Sequence, residues 1–361
     1  MNESKIIKIL NKLKRELNEF KEKERYYSSR DLIKELSEAF NEKAHYKIEY
    51  SSMLIPLETF STVSCKSPNI SNSIGQALEY LKDRKTGVLA FDGSYFTPSA
   101  HLKIPIHIVN VGVWYQNYSK DSHGSFNHVE IFFDIPDKRI QRIKSKEIEY
   151  ETVYKCLKNL DEDIKIILYD EAFNLNYTLA WDHESRKSLI RLLKNHLEEI
   201  IKLKIIPLAV FYTSSIDLLR SLSSITGTSI DILGFIPDRT IMNTFLETGQ
   251  RSNLFKVHSR ALVNSGIKLV AFYIKVGEGN ILRVEFPEEY LEQVDIIHCT
   301  VLAQAVLGNG YPIAMQRAHE WAVLSSQDRI IIEEEIARLL KLPYREYLIS
   351  KKLESKRRPI V

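Results

Sequence analysis

Several patterns that would point to particular protein classes are missing from this 361-residue chain. Cysteine is scarce: Cys65, Cys156 and Cys299 lie far apart with no paired spacing, which reads against a disulfide framework and a zinc site and suits a reducing cytoplasm. No window approaches the ~18 apolar residues of a membrane span. The first residues alternate in charge without a signal-peptide apolar stretch, so a soluble, cytoplasmic protein with no membrane contact is expected. There is no G-x-x-x-x-G-K-[ST] phosphate loop, so any energy for translocation along a polymer has to come from another protein. Charge imbalance is missing too: 50 Lys and Arg against 47 Asp and Glu leave a formal +3, which neither demands nor excludes a polyanionic partner.

What is present is ordinary globular composition, 44% hydrophobic and 27% charged, enough for one main domain with added ends. Ile6, Leu10, Leu13, Leu17 and Phe20 share one face of an amphipathic helix. Leu32, Leu36 and Phe40 mark a second helix after the Ser28-Ser29 break, so an α-hairpin is expected. KSPNISNS, residues 66–73, reads as a loop, and Ile74–Tyr80 as a short helix. Val88–Phe91, Ile104–Tyr115 and His128–Phe133 read as three neighbouring antiparallel strands. A helix over Glu147–Leu160 leads into a buried strand, Ile164–Tyr169. A helix over Ser185–Leu203, a strand over Pro207–Tyr212, a helix capped by Ser214 or Ser215, and a hairpin across Gly277-Glu278-Gly279 follow. The pattern is mixed α/β. The C-terminal Lys351, Lys352, Lys356, Arg357 and Arg358 face only Glu354; they form either a phosphate-attracting tail or a solvated one.

Two of these strands run into carboxylates, AFDGSYF at Asp92 and IILYDEAF at Asp170. A lone Asp-Gly after a strand is most simply a turn. Two such aspartates brought together repel, and persist best when a cation neutralises them.

AFDGSYFTPSAHLKIPIHIVNVG resembles the first motif of the NurA nuclease family and YDEAF its second, where the family more often has Asp-Gly. GYPIAMQRAHEWAVLS, with Tyr311 and His319 eight residues apart, resembles its closing motif. FYTSSIDLLRSL, FLETGQRSNLF and AFYIKVGEGNILRVEFP match the intervening pattern of bacterial-type members. The resemblance covers roughly residues 84–330. It implies an RNase H-like mixed sheet flanked by helices, divided as a helical N-terminal extension (1–80), a nuclease domain (84–335), and a C-terminal helix with basic tail (336–361).

It also implies a metal site built from Asp92, a helix glutamate, Asp170 and His319, with Tyr311 beside it as either a phosphate-reaching hydroxyl or a core tyrosine. KEIEYETV offers Glu147, Glu149 and Glu151; Glu149 shares a face with Val153, Cys156 and Leu160, whereas Glu151 aligns with Lys155 and Lys158 toward solvent, so Glu149 is the expected ligand. A phosphodiester is anionic, and two divalent ions can activate water on one side and stabilise the leaving oxygen on the other. Oxygen ligands suit Mg²⁺ or Mn²⁺, and the histidine favours Mn²⁺. Glu171 adds a carboxylate where the family has a small residue, and points away from Asp170 if the strand persists. Arg251 and Arg283 can meet either a DNA backbone or carboxylates within the domain.

The implied activity is hydrolysis of DNA, with 5′-end resection and single-strand cutting in double-strand break repair, by a homodimer working with a hexameric HerA-type ATPase. Two alternatives remain: a catalytically silent DNA clamp or scaffold on the same motor, and a related enzyme acting on RNA or hybrids.

Overall fold

The computed structural model describes residues 3–23, 28–41, 47–98, 105–160 and 164–341; the basic tail expected at 351–358 lies outside them. In chain order the elements are α1 (Glu3–Lys23), α2 (Ser29–Asn41), β1 (Ser52–Pro56), β2 (Thr62–Ser64), α3 (Ile74–Asp83), β3 (Gly87–Phe96), β4 (Ile106–Asn117), β5 (Ser122–Phe133), α4 (Lys138–Asn159), β6 (Ile166–Tyr169), α5 (His183–Lys202), β7 (Ile206–Phe211), α6 (Asp217–Thr226), α7 (Ile230–Leu233), α8 (Asp238–Phe245), β8 (Gln250–Ser252), β9 (Phe255–Ser259), β10 (Leu269–Gly277), β11 (Asn280–Pro287), α9 (Val294–Leu307), α10 (Ile313–Ala322) and α11 (Ser326–Leu339).

The strands form one sheet in the order β1-β9-β10-β11-β7-β6-β3-β4-β5, with β2 joined through β8 to β10. β3, β4 and β5 are antiparallel neighbours as expected, β6 runs parallel to β3, and β7 parallel to β6. This is the mixed sheet, flanked by helices, that the resemblance implied. Alternate residues of β3 feed two cores: Leu89 and Phe91 join one with Val153, Leu193 and Leu219 from α4, α5 and α6. Val88 and Ala90 join the other with Leu81, Val301 and Ala318 from α3, α9 and α10, which is the two-residue period of a strand buried on both faces. The helices of the N-terminal segment are present, and beyond them β1 and β2 extend the sheet, which helical periodicity did not signal. Ile6, Leu10 and Leu13 on the α1 stripe are exposed.

Three expectations need correction. Asp92 does not end a strand: β3 continues through it to Phe96, because Asp92 and Gly93 keep their ladder partners Gly112 and Val111. Ser214 and Ser215 do not cap α6, which starts at Asp217 without a cap from its own flank. Its free N–H groups at Asp217 and Leu218 are taken by the Asp238 carboxylate, 3.0 Å from each, and Ser215 donates to that same carboxylate; a buried helix start needs acceptors, and here they come from a distant segment. Cys65 and Cys299 are joined in a disulfide across 234 residues, their Cα atoms 5.8 Å apart, because α9 packs against α3 and against the turn at Pro68–Asn72 that follows Cys65. Sequence spacing does not report such nearness in space. Cys156 is free and buried.

Candidate active site

Asp92 and Asp170 stand side by side. Phe91 and Tyr169 are register partners in the parallel β3–β6 pair, so the next residue of each chain emerges at the same level. Asp92 is half-buried and accepts the Gly93 N–H through Oδ1 at 2.8 Å. Asp170 keeps contact with solvent, yet partial loss of hydration raises its carboxyl above the ordinary value. The Tyr311 hydroxyl opposes that rise and the negative charge of Asp92 adds to it. Asp170 therefore feels the Asp92 charge beside it.

The closing segment supplies their partners. His319 Nδ1 lies 2.6 Å from Asp92 Oδ2, and the Tyr311 hydroxyl donates to Asp170 Oδ1. Tyr311 is half-buried and stacks on Tyr212 at 5.4 Å between ring centroids. Burial first, and then the Asp170 charge, hold its hydroxyl well above the usual tyrosine range, so it stays a donor.

α10 reaches this position because β4 accepts it closely. A Cβ at Gly112 would stand 2.5 Å from Ala322 N and 2.6 Å from Ala318 O, so only glycine permits the approach. The helix end is then clamped by amides: Asn110 Nδ2 donates to Ala322 O at 2.7 Å and to Trp321 O at 3.3 Å, and Asn127 Nδ2 donates to Trp321 O at 3.1 Å and to Asn110 Oδ1 at 2.9 Å. These bonds occupy carbonyls a helix end leaves open.

On the other face of β3 lies a second cluster. Gly93 has no side chain, and a Cβ there would collide with the Glu149 carboxylate. Glu149 is buried on α4 while Glu151 is exposed and Glu147 half-buried, the facing that helical geometry selects. Glu149 Oε2 is 2.5 Å from Lys146 Nζ, and its Oε1 accepts from the Tyr95 hydroxyl. Lys146 Nζ also lies 2.6 Å from Glu171 Oε1, and Arg142 Nη2 lies 3.2 Å from Glu171 Oε2. Burial alone would push the Lys146 ammonium down; the Glu149 and Glu171 charges overcome it and hold the group well above its usual range. Asp92, Asp170, Glu149, Glu171, Lys146 and Arg142 all line one cavity of about 110 Å³.

The structure thus brings Asp92, Asp170, Tyr311 and His319 together and sets Glu149 in the wall of the same cavity. Among the described residues no three His, Cys, Asp or Glu side chains are gathered closely enough to hold a metal ion. Asp92, Asp170 and His319 nonetheless offer the donor types a divalent ion takes, two hard carboxylates and an imidazole hydrogen-bonded to one of them, without being gathered into one ligand set. Arg251 and Arg283 are interior. Arg251 donates to Ser252 O at 2.8 Å, and Arg283 pairs with Asp217 and Glu285, each at 2.7 Å, so the domain's own carboxylates hold Arg283.

Sequence reasoning missed Lys146, Arg142 and Tyr95, and the Asn110–Asn127 clamp. Lys146 carried a signal, an (i, i+3) spacing to Glu149 in KEIE. The clamp carried a fainter one, Asn110 and Gly112 in an otherwise apolar strand.

A mixed α/β domain with an acidic pocket at adjacent strands, closed by a Tyr–His segment, defines the class. A sequence profile for the NurA domain matches residues 86–324, and the chain belongs to the NurA family. Among solved structures it is similar to the NurA nuclease from Sulfolobus solfataricus, with 16% identity, TM-score 0.55 and 98% of each chain covered. A further structure of NurA shares 10% identity at TM-score 0.45, over 96% of this chain and 100% of that one. Another, of NurA bound to dAMP and manganese, shares 12% at TM-score 0.38, over 96% and 99%. At these identities the first similarity speaks for the fold. No curated protein matches the sequence.

Proposed function

We propose that this chain is a metal-dependent DNA nuclease whose working residues are Asp92, Asp170, His319 and Tyr311. The observation that carries the reading is the pairing of two adjacent-strand carboxylates with His319 and Tyr311, within a domain of the NurA family. Asp92, Asp170 and His319 would hold the ion, Mn²⁺ or Mg²⁺, with Mn²⁺ favoured by the imidazole. When bound, a divalent ion polarises the phosphoryl oxygen and lowers the pKa of water, supplying a nucleophile at neutral pH.

The chain's own residues prepare that chemistry. Tyr311, by donating to Asp170, fixes which carboxylate oxygen remains open. His319 orients Asp92 through Nδ1, which leaves Nε2 as the nitrogen that would either meet the ion or move a proton. Family membership supports the finer reading: DNA ends and single strands as substrates, 5′-3′ resection in break repair, a homodimer, and a HerA-type hexameric ATPase as motor, since the sequence holds no phosphate loop.

The test is cleavage of end-labelled single- and double-stranded DNA with Mn²⁺, Mg²⁺ or EDTA, wild type against Asp92→Ala. Metal-dependent cutting is expected, falling on the order of a thousandfold or more in the variant. Folded wild-type protein that binds DNA and never cuts, with the ATPase present, would establish the silent clamp instead.

A further inference from the structure

We propose that Lys146 is a tethered cation standing where a second divalent ion would otherwise sit, so that the pocket loads one Mn²⁺, at Asp92 and Asp170, and none between Glu149 and Glu171. This rests on the nuclease reading above and refines it.

Counting paired cations separates the two clusters. Glu149 gives Oε2 to Lys146 and Oε1 to the Tyr95 hydroxyl. Glu171 gives Oε1 to Lys146 and Oε2 to Arg142. All four carboxylate oxygens have donors. Two negative charges face two positive ones, and Glu149 and Lys146 are both buried, 1% and 7% exposed. A divalent ion placed there would bring two more positive charges against a buried ammonium whose charge the two carboxylates already share.

Asp92 and Asp170 are in the opposite state. Among the described residues neither pairs with lysine or arginine; their partners are an imidazole, a backbone N–H and a tyrosine hydroxyl. That pair lacks a cation, and the other pair already has one. The extra carboxylate at Glu171 accounts for the arrangement, because it gives Lys146 a second acceptor and Arg142 its partner. Glu149, expected from the resemblance to bind metal, here holds a lysine in place.

The experiment is a Mn²⁺ titration of the full chain, following the free-ion signal by electron paramagnetic resonance, with circular dichroism as the check on folding. Wild type is expected to bind one Mn²⁺ per chain, the ion to be lost in Asp92→Asn, and its affinity to be unchanged in Glu149→Gln. Lys146→Met is expected to raise the count to two. Two ions in wild type, an affinity lost in Glu149→Gln, or a count that stays at one in folded Lys146→Met would each overturn the inference while leaving the nuclease reading standing. A wild type that binds no Mn²⁺ would overturn both. The wild-type count and the Glu149→Gln affinity decide the matter even if Lys146→Met does not fold.

Discussion

The Tyr311 hydroxyl has one clear task, and its removal isolates that task. Tyr311→Phe keeps the ring on Tyr212 and deletes only the donor to Asp170. A hydrogen bond to a charged group contributes about 1.5–3 kcal/mol; losing that much from the transition state as well would lower kcat/KM about ten- to a hundredfold. Single-turnover cleavage with saturating Mn²⁺ measures it, and a wild-type rate would assign the tyrosine to packing. Legibility was highest at this scale. Motif resemblance marked Asp92, Asp170, Tyr311 and His319 as individual residues, which the structure brings into contact, and Glu149 was separated from Glu151 by helical facing alone. Lys146 was passed over because a lysine three residues from a glutamate on a helix is most often a solvated pair; nothing in its spacing reports that the ammonium is buried.

Elements were legible where the signal is local and obscure where it is not. The β3–β4–β5 antiparallel set and the β10–β11 hairpin follow from alternation and a Gly-Glu-Gly turn. α4 begins at Lys138, well before the expected Glu147, since its cap is Asp137, accepting from Arg139 N at 2.7 Å, and KRIQRIKSK lacks an apolar stripe. The α6 cap and the Cys65–Cys299 link come from distant segments and leave no trace in neighbouring residues. α10 depends on such a distant contact. Asn110→Ala removes the donors to Trp321 O and Ala322 O, and should cost about 1–2 kcal/mol in urea unfolding. Activity should drop further than that loss explains, because His319 rides on the same helix. Gly112→Ala forces the helix outward and should cost about 1–3 kcal/mol. Full activity in either folded variant would show that His319 is held by something else.

At the scale of the whole molecule, two interior imidazoles tie stability to pH. Burial drives His196 down to about 3, with the Lys146 charge adding to the effect. Burial and the Arg251 charge drive His298 down to about 4. Both native-state values lie below the ordinary value of about 6.5. Above that pH neither state takes a proton and the two groups leave stability unchanged. As pH falls below it the unfolded chain protonates first, so stability declines by up to about 1.4 kcal/mol per pH unit for each imidazole, down to the folded values. Urea midpoints compared at about pH 7.5 and pH 5.5, above most carboxylate titration, should show the loss. Equal midpoints would mean the rings are hydrated or protonated in the native state.

The pairing of Asp92 with His319 spans 227 residues of sequence and that of Asp170 with Tyr311 spans 141. Both carboxylates are made early in synthesis, and both partners arrive in one late stretch. A growing chain that has already folded β3 and β6 carries acids but no finished pocket. For a protein proposed to cut DNA, the order of translation then delays the pocket: Asp92 and Asp170 stand without their partners until the segment carrying Tyr311 and His319 has been made and docked.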